Sequence, residues 1–148
     1  MQTFLKKIES ICVIDDSEID IFILKRILGL LSYDKKILSF SFARHALEFF
    51  KELTITKNFH LVPSIIFLDI NMPDMDGFEF LEEFKKLPES ITGRCDIAIV
   101  TSSENSEDII KAKNYPSVIN FISKPLSESK IMGINLRKGR NFLEKGNH

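Results

Sequence analysis

Three aspartates and one lysine occupy positions from which they could bind a cation and a phosphate together. Asp15 and Asp16 follow an apolar run at 11–14, Asp69 follows the strongest apolar run at 64–68, and Lys124 follows a run at 118–122. Carboxylates that lie within a few ångström of one another repel strongly unless a positive group is among them. A hard divalent cation such as Mg²⁺ is the natural candidate, because it takes a few carboxylates together with waters and phosphate oxygens.

A hydroxyl group belongs to the same pattern, since Thr101 ends the apolar run at 97–100. One hydroxyl, one ammonium, three carboxylates and a metal ion would together form a site for a tetrahedral anion. The site requires a fold that brings the ends of these separate runs to one edge.

The apolar runs predict a parallel sheet that meets this requirement. They are short, rich in Ile, Val and Phe, and bounded by polar residues, which is typical of strands buried on both faces. Segments with helical spacing lie between them, so that strand and helix alternate five times. This order predicts an α/β fold, a doubly wound parallel sheet with the flavodoxin-like strand order 2-1-3-4-5 and its site at the carboxyl ends of the strands.

Helix signals are clearest after the first run. Ser17 with Asp20 three residues later is a capping pattern. Apolar residues recur at four-residue intervals along this helix and predict its buried face. The residues are Ile19, Ile23, Ile27 and Leu31, and Phe22 and Leu24 widen the face. The second helix should bury Ala43, Leu47 and Phe50, and the third Phe78, Leu81 and Phe84 after a turn at 76–77. The fourth should begin at Asn105, and the last should run from about Ser127 toward Leu136.

Composition excludes several classes of protein. The 148 residues carry 20 basic and 21 acidic side chains, so no strong attraction to nucleic acid or to an anionic membrane is expected. Two cysteines, Cys12 and Cys95, are too few for a disulfide framework and fit buried thiols in a reducing cytoplasm. The N-terminal segment does not resemble a signal peptide, and we expect a soluble, cytoplasmic protein.

Four motifs in order give the sequence a resemblance to the receiver domain of two-component response regulators. They are Val13-Ile14-Asp15-Asp16-Ser17, Phe67-Leu68-Asp69-Ile70-Asn71-Met72-Pro73 with Asp76-Gly77, Val100-Thr101-Ser102-Ser103, and Lys124-Pro125. Each motif is common alone, whereas four at compatible spacings are specific. The resemblance implies a receiver domain at 8–136, with 137–148 left as a helix end and tail and no output domain.

The resemblance also assigns roles. Asp69 would accept a phosphoryl group from a histidine kinase or a histidine phosphotransfer protein, with Lys124 and Thr101 contacting the phosphoryl oxygens. Lys124 would pair with Asp69 at rest. Mg²⁺ would be bound by Asp16, by Asp69 and by the backbone carbonyl of Asn71, and by Asp15 through water. The protein would be a switch that assists its own phosphorylation and dephosphorylation, and not an enzyme acting on free substrates.

A conformational change would transmit the signal to a downstream protein. Thr101 would move toward the phosphoryl group, and Phe121 would enter the vacated space and reshape the face of the fourth helix, fifth strand and fifth helix. The family often has Tyr at the position of Phe121, so a hydroxyl contact with a partner is absent here. The resemblance further implies a cis peptide bond between Lys124 and Pro125.

Two other functions stay open at this point. The chain could be an inert, receiver-like module that only binds other proteins. It could also be a phosphatase with an aspartate nucleophile. Such enzymes usually carry the nucleophile after the first strand with a second acid two residues on, whereas here the candidate follows the third strand and position 71 is Asn.

Overall fold

A computed structural model describes residues 3–136, which form five strands surrounded by helices. In chain order the elements are α1 (Thr3–Lys6), β1 (Ser10–Ile14), α2 (Glu18–Leu30), β2 (Lys36–Phe40), α3 (Ala43–Thr56), a 3-10 turn (Phe59–Leu61), β3 (Ile65–Leu68), α4 (Gly77–Phe84), α5 (Glu89–Thr92), β4 (Asp96–Thr101), α6 (Ser106–Ala112), β5 (Val118–Ser123) and α7 (Glu128–Met132). The predicted tail at 137–148 lies outside the described residues.

The five strands pair in parallel in the order β2-β1-β3-β4-β5, which confirms the predicted flavodoxin-like fold. The order reverses between β1 and β3, whose pairing joins Ile14 to Leu68 at the last register position. A ligand site in an open α/β sheet lies at such a switch point, beyond the carboxyl ends of the strands. The residues immediately after β1 and β3 are therefore placed side by side.

Alternating strand residues face two separate hydrophobic cores, because successive side chains of a strand point to opposite sides of the sheet. Ile66 and Leu68 pack with the phenylalanines of α3 and α4, whereas Ile65 and Phe67 pack with α2 and α7. Burial on both faces explains why the strands read as continuous apolar runs. Cys12 and Cys95 are both buried, as predicted.

The predicted face of α2 is wrong in part. The helix buries Ile21, Leu24, Ile27 and Leu28, whereas Ile19 and Phe22 are 71% and 64% exposed and Ile23 is also exposed. A spacing of four residues advances about 400°, so each step drifts about 40° around the helix. Over three steps this drift carries Ile19 away from the face that Leu31 occupies. The true stripe alternates spacings of three and four.

Other helices follow their predicted patterns with shifted boundaries. α3 buries Ala43, Leu47 and Phe50, and α4 buries its three predicted residues. Asn105 caps α6 and Ser127 caps α7, but α7 ends at Met132 and does not run toward Leu136. Gly133 follows directly, and glycine is a poor helix former. The four-residue helices α1 and α5 were not predicted. Within residues 3–136, each helix is too short or too polar to span a bilayer.

Candidate functional site

Backbone hydrogen bonds continue the ladders of the sheet beyond the strand ends and hold the site residues in place. The Asp69 N–H donates to the Ile14 carbonyl at 2.9 Å, and the Lys124 N–H donates to the Thr101 carbonyl at 2.8 Å. Asp69 and Lys124 are thereby tied to the ends of the neighbouring strands.

The three carboxylates among the predicted metal ligands lie together at this edge. One carboxylate oxygen from each of Asp15, Asp16 and Asp69 lies within 4.8 Å of the others. Asp15 and Asp69 are only 5% and 6% exposed, whereas Asp16 is exposed. Three hard oxygen donors with one solvent-facing member match the preference of Mg²⁺ for a few carboxylates plus waters. The donor set thus fits the predicted ion.

Lys124 is oriented into the same cluster, and its bond to Pro125 is cis, as predicted. Its Nζ donates to Asp20 Oδ2 at 2.7 Å and to Asp15 Oδ2 at 3.0 Å, and it lies 3.9 Å from Asp69 Oδ2. The expected pairing with Asp69 is therefore the loosest of the three contacts. A pocket of about 290 Å³ lies beside these groups, between α2 and the loop after β5.

Asp20 was interpreted in the sequence as a capping residue only. Its backbone N–H does donate to Ser17 Oγ at 3.2 Å, but its carboxylate binds Lys124. One signal in the sequence could have indicated this. Asp20 lies in the first turn of the helix that follows Asp16, so it stands over the same edge of the sheet.

Burial dominates the electrostatics of Asp69. It raises the pKa of Asp69 to about 6, and the Asp15 and Asp16 carboxylates add to the rise. The hydrogen bond from the Asn71 N–H and the Lys124 ammonium oppose it. Burial alone would lower the pKa of Lys124, but hydrogen bonds to Asp20 and Asp15 outweigh burial and raise that pKa. The ammonium therefore stays charged beside carboxylates that repel one another.

Thr101 is fully buried at the end of β4. Its hydroxyl oxygen accepts hydrogen bonds from Asn71 Nδ2 at 3.2 Å and from the Ser103 N–H at 3.0 Å. Asn71 also donates its backbone N–H to Asp69 Oδ1 at 3.2 Å, so this residue connects the Asp69 carboxylate with the Thr101 hydroxyl. Phe121 lies nearby on β5, partly buried against the core beneath α3 and α4.

The loop after Asp69 is tightly folded. Asp76 and Glu79 form a complete capping box at the start of α4, and the Gly77 N–H donates to the Ile70 carbonyl at 3.1 Å. A Cβ atom at Gly77 would lie 2.6 Å from Ile70 Cα and 2.8 Å from the Asp69 carbonyl oxygen. Only glycine allows the start of α4 to pack this closely against the backbone of Asp69 and Ile70.

Comparisons with known proteins agree with this geometry. The family model described as the response regulator receiver domain matches residues 11–134. Response regulator Rcp1 of Synechocystis is 28% identical over 100 residues, and hybrid signal transduction histidine kinase L of Dictyostelium discoideum is 36% identical over 84 residues. These matches cover 68% and 56% of the chain, but only 66% and 5% of the respective relatives.

Solved structures share the fold. A two-component response regulator from Cytophaga hutchinsonii has a TM-score of 0.74 at 28% identity, over 84% of the chain and 91% of its own length. The Mn²⁺-bound form of Rcp1 has a TM-score of 0.69 at 21% identity, over 88% and 99%.

Proposed function

The chain belongs to the response regulator receiver domain family, whose model matches residues 11–134, and we propose that it is a phosphorylation switch with Asp69 as the phospho-acceptor. The observation that carries this proposal is the buried Asp69 carboxylate, which shares one edge of the sheet with two further carboxylates and the Lys124 ammonium. The receiver domains of this family are signalling switches. The finer roles below are our proposal for this chain.

The transfer step uses Asp69 as a nucleophile. A carboxylate oxygen of Asp69 forms a bond to phosphorus while the bond from phosphorus to the donor histidine nitrogen breaks, and its electron pair stays on the imidazole. The product is an acyl phosphate. An ionised carboxylate needs no general base, so the protein's task is to position the acceptor and to stabilise charge on the phosphoryl oxygens.

Lys124 and Thr101 would supply that stabilisation from the protein side. The ammonium has three donors and uses two of them on Asp15 and Asp20, which leaves one for a phosphoryl oxygen near Asp69. The Thr101 hydroxyl accepts both of its hydrogen bonds, so its own proton is available to donate. Both groups lie at strand ends and need only side-chain movement to contact a phosphoryl group.

A divalent cation would be held by the acid cluster. We assign Asp16, Asp69 and the backbone carbonyl of Asn71 as direct ligands, with Asp15 acting through water. Bound Mg²⁺ would neutralise charge on the phosphoryl oxygens. The Mn²⁺-bound form of the related Rcp1 supports the binding of a divalent metal.

The output would pass through Thr101 and Phe121. Movement of the Thr101 hydroxyl toward the phosphoryl group releases its bonds from Asn71 and Ser103. The vacated space then admits the ring of Phe121, which is partly buried and lies on the neighbouring strand opposite Ile99, two residues before Thr101. This change reshapes the face formed by α6, β5 and α7, which we propose as the surface that a downstream protein recognises.

We place the protein in the cytoplasm, with a histidine kinase or a histidine phosphotransfer protein as donor. The balanced charge of the chain gives no reason to invoke nucleic acid as a partner. The receiver domain is proposed to span residues 8–136.

The test is incubation with acetyl phosphate, with Mg²⁺ or with a chelator, followed by intact mass spectrometry. We expect one phosphoryl group per chain that requires Mg²⁺ and is lost in Asp69→Asn. An unmodified protein that also fails to bind beryllofluoride would indicate an inert binding module. Sustained release of phosphate without any phosphorylated chain at steady state would indicate a phosphatase. Either result would contradict the proposal.

A further inference from the structure

The Lys124 ammonium makes its shortest contact with Asp20 and not with Asp69. The Nζ to Oδ2 distance is 2.7 Å to Asp20 and 3.9 Å to Asp69. A hydrogen bond between two charged groups at 2.7 Å lies at the strong end of the usual range. The ammonium therefore binds most closely to Asp20, which lies outside the cluster of Asp15, Asp16 and Asp69.

Asp20 adopts this contact instead of the local one that its position offers. It lies three residues after Ser17, the N-cap of α2. From this position an acidic side chain can complete a capping box by accepting a hydrogen bond from the Ser17 N–H. The Ser17 N–H donates instead to Asp15 Oδ1 at 2.9 Å. In α4, by contrast, Glu79 does close its box with Asp76. The carboxylate of Asp20 is thus diverted from its helix toward Lys124.

Asp20 is also separate from the metal ligands. The group of carboxylates that could share an ion comprises Asp15, Asp16 and Asp69. A cation bound there would draw on Asp15, the other partner of Lys124, but would leave Asp20 in place. The Asp20 carboxylate would then be the main anion holding the ammonium when a phosphoryl group arrives on Asp69.

We propose that Asp20 is a positioning residue that competes with the phosphoryl group for Lys124 and thereby limits the stability of the phosphorylated state. The inference rests on the proposed function of Asp69. Its physical basis is that the negative charge of Asp20 binds the Lys124 ammonium, which would stabilise the incoming phosphoryl dianion, and also repels that dianion. Removing the charge should free Lys124 to approach Asp69.

The expected effect is a gain in affinity for a phosphoryl mimic. Asp20→Asn keeps the size of the side chain and an oxygen acceptor, but removes its charge. We expect it to bind beryllofluoride at saturating Mg²⁺ about fivefold to tenfold more tightly than the natural protein, and to lose its phosphoryl group more slowly by a similar factor. A damaged structure would lower the affinity, so the sign separates this role from a merely structural one.

The experiment titrates the full chain with beryllofluoride and Mg²⁺ and follows the bound fluoride by ¹⁹F NMR. Glu18→Gln is the matched control, because Glu18 is an exposed acid in the same first turn of α2, and Lys124 pairs among the described residues with Asp15, Asp20 and Asp69. We expect the control to change affinity less than about twofold. Asp20→Glu should restore most of the natural value, and Asp20→Ala should shift affinity in the same direction as Asp20→Asn.

A double-mutant cycle with Lys124→Ala completes the test. If Asp20 acts through the ammonium, removing its charge should have much less effect once Lys124 is absent. Unchanged or weaker binding by both charge-removing variants would overturn the inference, as would an equal gain in Glu18→Gln. If the natural protein itself fails to bind beryllofluoride, the proposed function fails too. Binding by the natural protein without a gain in the variants overturns the inference about Asp20 alone.

Discussion

Replacing Asp69 with asparagine should stabilise the metal-free protein, although it removes the proposed acceptor. Burial and two neighbouring carboxylates raise the pKa of Asp69 to about 6, so at neutral pH its charged form is held at a cost to the folded state. The rise from the ordinary aspartate value corresponds to about 3 kcal/mol at neutral pH. Screening at this partly hydrated edge reduces the expectation to about 1–2 kcal/mol.

The contribution of Asp69 to the free energy of unfolding changes with pH in one direction. A carboxyl with a raised pKa binds a proton in the folded state where the unfolded chain has released it. Its contribution to stability is therefore present at about pH 4 and is lost as the pH rises through about 6. The advantage of Asp69→Asn over the natural protein should grow across this window and remain constant above it. The difference between the two proteins cancels the contributions of acids that do not interact with Asp69, such as Asp74.

Urea unfolding in the presence of a chelator, followed by circular dichroism at several pH values, measures this advantage. Repeating it with Mg²⁺ provides the control, because the proposed binding of the cation to the folded natural protein should narrow or reverse the gap. Equal stabilities in chelator at neutral pH, or a gap that shrinks between about pH 4 and 6, would refute the electrostatic reasoning.

Three further substitutions have expected outcomes in the same unfolding assay. Gly77→Ala should destabilise by about 1–3 kcal/mol and slow phosphorylation, since its Cβ meets the backbone of Ile70 at 2.6 Å; natural stability would contradict the tight loop. Lys124→Ala should cost about 1–3 kcal/mol in chelator and less in Mg²⁺, because it leaves acids unpaired; a cost that Mg²⁺ does not reduce would argue against a shared site. Thr101→Val should cost about 1–2 kcal/mol, because the donors of Asn71 and Ser103 lose their acceptor, and should weaken beryllofluoride binding; unchanged binding would remove Thr101 from the proposed site.

The sheet and the meeting of its polar strand ends could be predicted from the sequence, because both depend on short-range patterns. A buried parallel strand must be apolar on both faces, and a polar residue directly after it must lie at the carboxyl edge. The positions of Asp15, Asp69, Thr101 and Lys124 follow from this rule. Four such ends in one order leave little freedom in the topology.

The partner of Lys124 could not be predicted in the same way. Which carboxylate binds an ammonium depends on side-chain rotamers and on distances of about 1 Å, which no spacing in the sequence encodes. The capping pattern accounts for Asp20 locally, and it does not indicate that the carboxylate binds Lys124. The hydrogen bond from the Asn71 side chain to the Thr101 hydroxyl could not be predicted for the same reason.

The prediction of the buried face of α2 was wrong in part for a different reason. Its apolar residues cover a wide arc of the helix, and Ile19, Phe22 and Ile23 compete with the residues that the helix buries. A periodic pattern cannot choose between two apolar faces. The direction in which α2 crosses the sheet makes that choice, and it depends on the whole fold.

The most direct test of the account is to locate the phosphoryl group by chemistry. The protein is treated with acetyl phosphate and Mg²⁺ and then reduced with borohydride, which converts an aspartyl phosphate to homoserine, and its peptides are sequenced by mass spectrometry. The account predicts homoserine at position 69, dependent on Mg²⁺ and on the donor. Homoserine at another aspartate, or an unreduced Asp69 in a folded and metal-loaded protein, would contradict it.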